Sequence, residues 1–570
     1  MMTDDVTKQD GAGRLSRTNA AGPGTMLRQI GRSMSGWSPL LSGLQKRSSR
    51  PGAVARPLGK APVAKPGWTD VIAAAALLCG LASAVMSWWV RGSLWEDEII
   101  AATHGLEKLP FFFVEIIRTD IHPFLYFLLI KAWSSINPYS DKWLLASSLV
   151  AAIGSATAVA LAAYRLGGRT AALWAAAIFC VMPGFSWAAS SLRMYALIPA
   201  LAIGCWYVNR QALLQGGRRW LLLIVVLQTI HSYTHAIGFF FAAFFALAAL
   251  AGARGNIDLR RFKRWLLIQT ISFVLMMPVL VSAVMRSTEP LDSVTWWTPV
   301  QYAAQLVSVP TMSAWIVPVG FPVLLTLVVF AMSDRRTHVL TIVILFGTLL
   351  AATIAGFAGK PMFKPAVFAA NVLPFLAVGA SLGIARFRVA RAVAAGFVLA
   401  LTIDLWRPGQ ANRQWAENYK PAGAYIAGSV RPGDIVIVPS LSVYWGIMRY
   451  AVSFQWGEPL SVIPLPETAR WVTLKQRLGP QLVSRLHLLP TTNSVEHAGV
   501  RYVVGTDGVG PIQLCNRIWL VHSIIYDRRN LEDVELPSTL ERVSLEQFGR
   551  ELTVSLLTGP DCSAASGQRG

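Results

Sequence analysis

The chain has 570 residues, of which 54% are hydrophobic and only 14% charged. Its apolar residues fall in blocks of about 20, long enough to cross a hydrocarbon core of roughly 30 Å, and this excludes an ordinary water-soluble enzyme. The net charge of +21 is scattered in short clusters between those blocks. It builds no continuous basic face, so a nucleic-acid partner is excluded and the charge reads as membrane topology.

Residues 1–68 are read as a disordered basic cytoplasmic tail, rich in Gly, Ser, Ala, Pro and Arg, with too few apolar residues to offset the entropy of ordering. Within it, Met26–Arg47 either forms an amphipathic surface helix interrupted at Pro39 or stays solvated. The first apolar span, Val71–Val90, comes too late and runs too long for a secretory signal. After it, residues 91–142 are predicted to form the first external loop, which carries two polar motifs. In Trp95-Glu96-Asp97-Glu98, Asp97 and Glu98 emerge where membrane meets water. Carboxylates there act as a general base, a sugar hydrogen-bond acceptor or a metal ligand, unless the run is a solvated loop. In Asp120-Ile121-His122-Pro123-Phe124-Leu125-Tyr126, Asp120 and His122 either position a phosphate or carry a proton, or His122 caps the helix that Pro123 opens. Trp95, Phe111, Phe112, Phe113, Phe124 and Tyr126 read as interfacial anchors.

Span two, Trp143–Ala163, leads to a basic loop with Arg165 and Arg169. Further basic turns lie at Arg210–Arg219, Arg254–Arg264, Arg335–Arg336 and Arg386–Arg391. They alternate with turns at Ser186–Arg193, His231–His235, Arg286–Met312 and Ala358–Pro365. Under the positive-inside rule this pattern predicts a polytopic α-helical membrane protein of about eleven spans, with the tail cytoplasmic. Arg193, at the external end of a span, either grips a phosphate or snorkels to lipid headgroups. Cys79, Cys180 and Cys205 lie in apolar segments and read as small buried hydrophobes.

The last span, Ala390–Trp406, delivers residues 408–570 to the external side. There the pattern changes to short apolar runs with turn signals: Asp434–Pro439, Val500–Gly505, Ile518–His522 and Leu552–Leu556, with an amphipathic stretch at Pro421–Val430. These predict a small soluble α/β domain with a partly parallel sheet. Cys515 and Cys562 in that region either form one disulfide or stay free. The sequence holds no internal repeat, phosphate-binding glycine loop, metal-ligand spacing or nucleophile elbow.

Three motifs in order, Trp-x-Asp-Glu, Asp-x-His-Pro-x-Leu-Tyr and Arg193-Met194-Tyr195-Ala196-Leu197, resemble those of the bacterial family 39-like glycosyltransferases of the GT-C fold. These are relatives of the protein O-mannosyltransferases and of the lipid A aminoarabinose transferase. The resemblance covers most of residues 70 to 440 and extends to Tyr233-Thr234-His235, to Lys364–Pro374 and to Pro432-Gly433-Asp434. It implies a GT-C transmembrane domain over 69–407 and inverting transfer of a sugar from a polyprenyl-phosphate-linked donor. The implied acceptor is a glycolipid, polysaccharide or protein on the periplasmic face of a bacterial inner membrane.

By motif, Asp97 matches the catalytic aspartate, with Glu98 as supporting acceptor. Asp120, His122, Arg193, Tyr195 and His235 fall at substrate-binding positions. Where relatives carry Arg-Tyr this chain has Val367-Phe368, so Lys360 or Lys364 is expected to supply the second cation at the phosphate. No cofactor or obligatory metal is implied. A flippase or transporter is disfavoured, because the acids cluster at span ends, with Asp404 the nearest to an exception. A non-catalytic scaffold for envelope glycan assembly is the other alternative.

Overall fold

The computed structural model describes residues 67–106, 122–138, 140–253, 257–286, 316–333, 335–357, 365–406, 418–438, 441–452, 494–497, 499–504, 517–523, 540–548 and 552–559. Residues 1–66 of the tail, Asp120, Lys360, Lys364, Cys515 and Cys562 lie outside these residues. From Lys65 onward the chain forms one compact unit of helices followed by a sheet.

Helix α1, Trp68–Val90, buries Ala73, Ala76, Gly80 and Ala84 on one face and turns Val71, Leu78, Val85 and Trp89 outward. Spacings of three and four residues put the small side chains on one stripe, and small residues let two helix backbones approach in a membrane. The approach is close at Gly80, where a Cβ would stand 2.6 Å from the carbonyl oxygen of Cys180. A short helix α2, Glu96–Leu106, follows α1, and α3, Phe124–Ser134, leads into α4, Asp141–Val181.

The 41 residues of α4 are two helices joined at Gly168, whose φ of +80° and ψ of −165° leave helical space. Expected span two and the span after Arg169 are thus the arms of one helical hairpin. Lys142 bonds to Trp88 at the C-terminal end of α1, whereas Trp174 Nε1 reaches Asp70 at its N-terminal end. The second arm therefore runs back along α1 toward Arg91.

The chain continues through α5 (Pro183–Ala189), a 3₁₀ turn at Met194–Ala196, α6 (Ile198–Gln215), α7 (Arg218–Thr234) and α8 (Gly238–Gly252). Next come α9 (Leu259–Arg286), α10 (Ile316–Met332) and α11 (Arg335–Thr341), then a π-helical turn at Ile342–Gly347, and α12 (Thr348–Phe357). Helices α13 (Pro365–Arg386) and α14 (Arg388–Leu405) complete the bundle. Among the described residues, Trp68–Val90, Asp141–Val181, Leu259–Ser282, His338–Phe357 and Pro365–Arg386 are long and apolar enough to cross a membrane. Helix α13 is the central one, with almost all of its residues buried.

The C-terminal region starts with α15 (Tyr419–Ser429), β1 (Ile435–Val438), α16 (Leu441–Ile447) and a π turn at Met448–Val452. Strands β2 (Ser494–His497), β3 (Val500–Val504), β4 (Ile518–Ser523), β5 (Glu541–Phe548) and β6 (Leu552–Thr558) follow. They form one mixed sheet in the order β2-β3-β1-β4-β6-β5. Strand β1 is parallel to β3 and β4 and buried along its whole length, as the unbroken Ile-Val-Ile-Val run requires of a central strand. A second apolar core joins this domain to the bundle: Leu94, Phe127 and Leu145 share it with Tyr419, Tyr444 and Trp519.

Candidate functional site

The polar residues converge at the end of the bundle where α1 passes into α2. Asp97 and Glu98 occupy the first turn of α2, whose amides at Glu98 and Ile99 both donate to the Trp95 carbonyl at 2.9 Å. Glu98 reaches back to the Trp95 amide at 3.1 Å, the reciprocal half of a capping box. The same carboxylate accepts the Leu192 amide at 2.7 Å and two guanidinium N–H groups of Arg91, one at 2.8 Å. Arg91 also donates to the carbonyls of Ser93 at 3.1 Å and of Ser190.

Glu98 is 0% exposed. Burial pushes its carboxyl above the ordinary value and the Arg91 guanidinium below its own, while each partner pulls the other back. Four donated hydrogen bonds leave Glu98 no free lone pair aimed at a substrate. Expected as a supporting acceptor beside Asp97, it is instead bonded to Arg91 and to the turn that carries Arg193.

Asp97 points the other way, with its side chain 37% exposed. Its Oδ2 lies 3.1 Å from Nη2 of Arg193, whose side chain is 4% exposed. Arg193 also reaches the Asp97 carbonyl at 3.4 Å through Nη1, and its Nη2 stands 3.3 Å from Nε2 of His122. A guanidinium can only donate, so His122 accepts through Nε2. The His122 ring meets that of His235 edge-on, with centroids 5.5 Å apart. His235 closes α7, and its Nδ1 accepts the Ile237 amide at 3.2 Å.

Tyr195 stacks on Trp187 with centroids 5.1 Å apart, and its phenol lies against Arg193 and Asp97. Burial raises that phenol above its ordinary value; Arg193 opposes the shift and Asp97 adds to it. Tyr195 and Trp187 also line an open apolar pocket between Phe179, Phe185 and Leu373.

The structure therefore brings Asp97, His122, Arg193, Tyr195 and His235 together. Tyr126, read from sequence as an interfacial anchor, is 5% exposed and sits inside near Arg193 and Glu98. Among the described residues no three or more His, Cys, Asp or Glu side chains converge to hold a metal ion.

Arg91, Asp141, Lys142, Arg449 and Tyr450 fall in none of the sequence motifs. Lys142 Nζ binds the carbonyls of Trp88 at 3.1 Å, Arg91 at 2.7 Å and Trp89, closing the C-terminal end of α1.

No protein-family model matches the sequence, and no curated protein matches it. Solved structures do match. ArnT from Cupriavidus metallidurans in the apo state aligns over 86% of this chain and 98% of its own, with a TM-score of 0.54 and 12% identity. The same protein bound to undecaprenyl phosphate aligns over the same shares with a TM-score of 0.52 and 12% identity. The oligosaccharyltransferase of Archaeoglobus fulgidus aligns over 80% of this chain and 69% of its own at 10% identity, with a TM-score of 0.41. The fold is that of the ArnT structures.

Proposed function

We propose, on the premise of this fold, that the protein is an integral membrane glycosyltransferase. It moves a sugar from a polyprenyl-phosphate-linked donor to an acceptor hydroxyl, with inversion. The observation that carries the reading is the pairing of a half-exposed carboxylate, Asp97, with a deeply buried guanidinium, Arg193, beside His122. A buried arginine next to a polar opening is placed for a phosphate oxyanion, and a carboxylate at its rim is placed for an acceptor hydroxyl.

The donor phosphodiester takes hydrogen bonds from Arg193 and His122, and this draws Nη2 of Arg193 away from Asp97. The released carboxylate accepts the proton of the acceptor hydroxyl as its oxygen bonds to the anomeric carbon. The bond from that carbon to the phosphate oxygen breaks, and its electron pair leaves with the polyprenyl phosphate. Charge grows on the phosphate during this step, so Arg193 binds the transition state more strongly than the ground state.

Asp120, read with His122 as positioning a phosphate or carrying a proton, and Lys360 or Lys364, read as a second cation for the phosphate, are assigned from the sequence motifs alone. Tyr195 and His235 wall the site, and the apolar pocket beside Tyr195 suits the first isoprenoid units. That the ArnT structure holds undecaprenyl phosphate supports this donor class. The reading places about eleven spans in a bacterial inner membrane, with this end periplasmic. Its acceptor is a glycolipid, a polysaccharide or a protein, and no cofactor or nucleic acid is assigned.

The test is turnover of polyprenyl-phosphate sugars by the purified protein in proteoliposomes. Asp97→Asn is expected to lower turnover about 10²–10⁴-fold, the usual contribution of a general base, with donor binding retained. Undiminished turnover in that variant would remove Asp97 from the role.

A further inference from the structure

The joint between α1 and α2 takes part of its support from the C-terminal domain. Tyr450 Oη accepts the Leu94 amide at 3.0 Å and donates to Asp141 Oδ2 at 2.7 Å. Arg449, its neighbour in the same π turn, binds Asp141 Oδ1 through Nη2 at 2.7 Å and Nε at 3.3 Å. The Lys420 amide donates to Ser93 Oγ at 3.2 Å. Leu94, Asp141, Arg449 and Tyr450 are all buried, Leu94 completely.

Leu94 precedes Asp97 by three residues. The start of α2 is thus held on the bundle side by Glu98, bonded to Arg91 and the Leu192 amide, and on the sheet side by Leu94 and Ser93. Of the two sheet-side ties, the Leu94 amide is the nearer to Asp97 along the chain. With the Leu94 anchor gone, α2 can turn about Glu98, and Asp97 swings relative to Arg193. Arg193 itself belongs to the turn that Glu98 holds and keeps its place.

We infer that Tyr450 is a positioning residue for Asp97: the C-terminal domain sets the reacting carboxylate through the Leu94 amide, while the bundle sets the phosphate-binding arginine. This rests on the glycosyltransfer reading. A reacting group displaced by about 1 Å can lose about 10²-fold in rate, so a hydrogen bond outside the site carries weight within it.

Tyr450→Phe removes only the hydroxyl and keeps the ring in its core. Turnover is expected to fall about 10- to 100-fold while the donor KM and the donor-binding stoichiometry stay at wild-type values. Amide exchange over residues 91–99 is expected to speed up, with exchange in α6 and α13 unchanged. Asp141→Asn should move both readouts in the same direction. Wild-type turnover in Tyr450→Phe overturns the inference, and so does a fall in stoichiometry that matches the fall in turnover, which would mark unfolding. A wild-type protein inactive with every polyprenyl-phosphate sugar overturns the glycosyltransfer reading instead. The exchange measurement then decides the strut alone: faster exchange over 91–99 supports it, and unchanged exchange overturns it.

Discussion

Asp97 and Glu98 are adjacent acids with opposite fates, and the cause is the direction each side chain takes from the first turn of α2. Glu98, at the third helical position, folds back over the helix start into a space with four donors. Asp97 projects to the rim with one buried cation beside it. Removing the Glu98 carboxylate leaves the buried Arg91 charge without its counter-ion and takes this acceptor from the Leu192 and Trp95 amides, and breaking a buried pair this way costs about 3–5 kcal/mol. Glu98→Ala should therefore lower the melting temperature in detergent well below that of Asp97→Ala; equal melting would defeat the structural role. On the proposed reading, Arg193→Ala removes hydrogen bonds to a charged phosphate worth about 1.5–3 kcal/mol, so donor affinity should weaken about 10- to 100-fold. Unchanged donor titration of that variant would count against a phosphate at Arg193. Motif order in the sequence was enough to mark Asp97, His122 and Arg193. It was silent on the Arg91 clamp, because nothing in a linear reading says that a loop arginine turns inward.

Among the elements, hydropathy marked the long apolar helices, since length and composition alone decide whether a segment suits the bilayer. The hairpin of α4 was legible from Arg165 and Arg169, though not its narrow joint, where one glycine at positive φ does the turning. Strands β1, β3, β4 and β6 were visible as apolar runs. Strand β5 was not, because Val543 and Leu545 are exposed and the strand lies at the sheet edge with little core to face. The contact between α1 and the second arm of α4 depends on the bare backbone at Gly80. A methyl there would meet the Cys180 carbonyl at 2.6 Å, so Gly80→Ala should overpack the crossing at a cost of about 1–3 kcal/mol. A melting temperature equal to wild type for Gly80→Ala would show that the two helices can part freely.

Over the whole molecule, hydropathy distinguishes an apolar helical bundle from a C-terminal region of short strands, and the structure supplies what lies between them. Their shared core and the Asp141–Arg449–Tyr450 network link residues 308 and 309 positions apart. No periodicity or local spacing connects such positions, which is why this part of the candidate site could not be read in advance. The same separation sets an order in time. A chain emerges from the ribosome N-terminus first, and contacts between distant segments wait for everything between them. The bundle helices are complete by Leu405, but β1, which leads into the Arg449–Tyr450 turn, lies beside β4, and β4 needs β6, which ends at Thr558. The joint at Leu94, among the first parts to be synthesised, is thus among the last to close, and strands remote from the polar cluster determine when a newborn chain becomes a finished one.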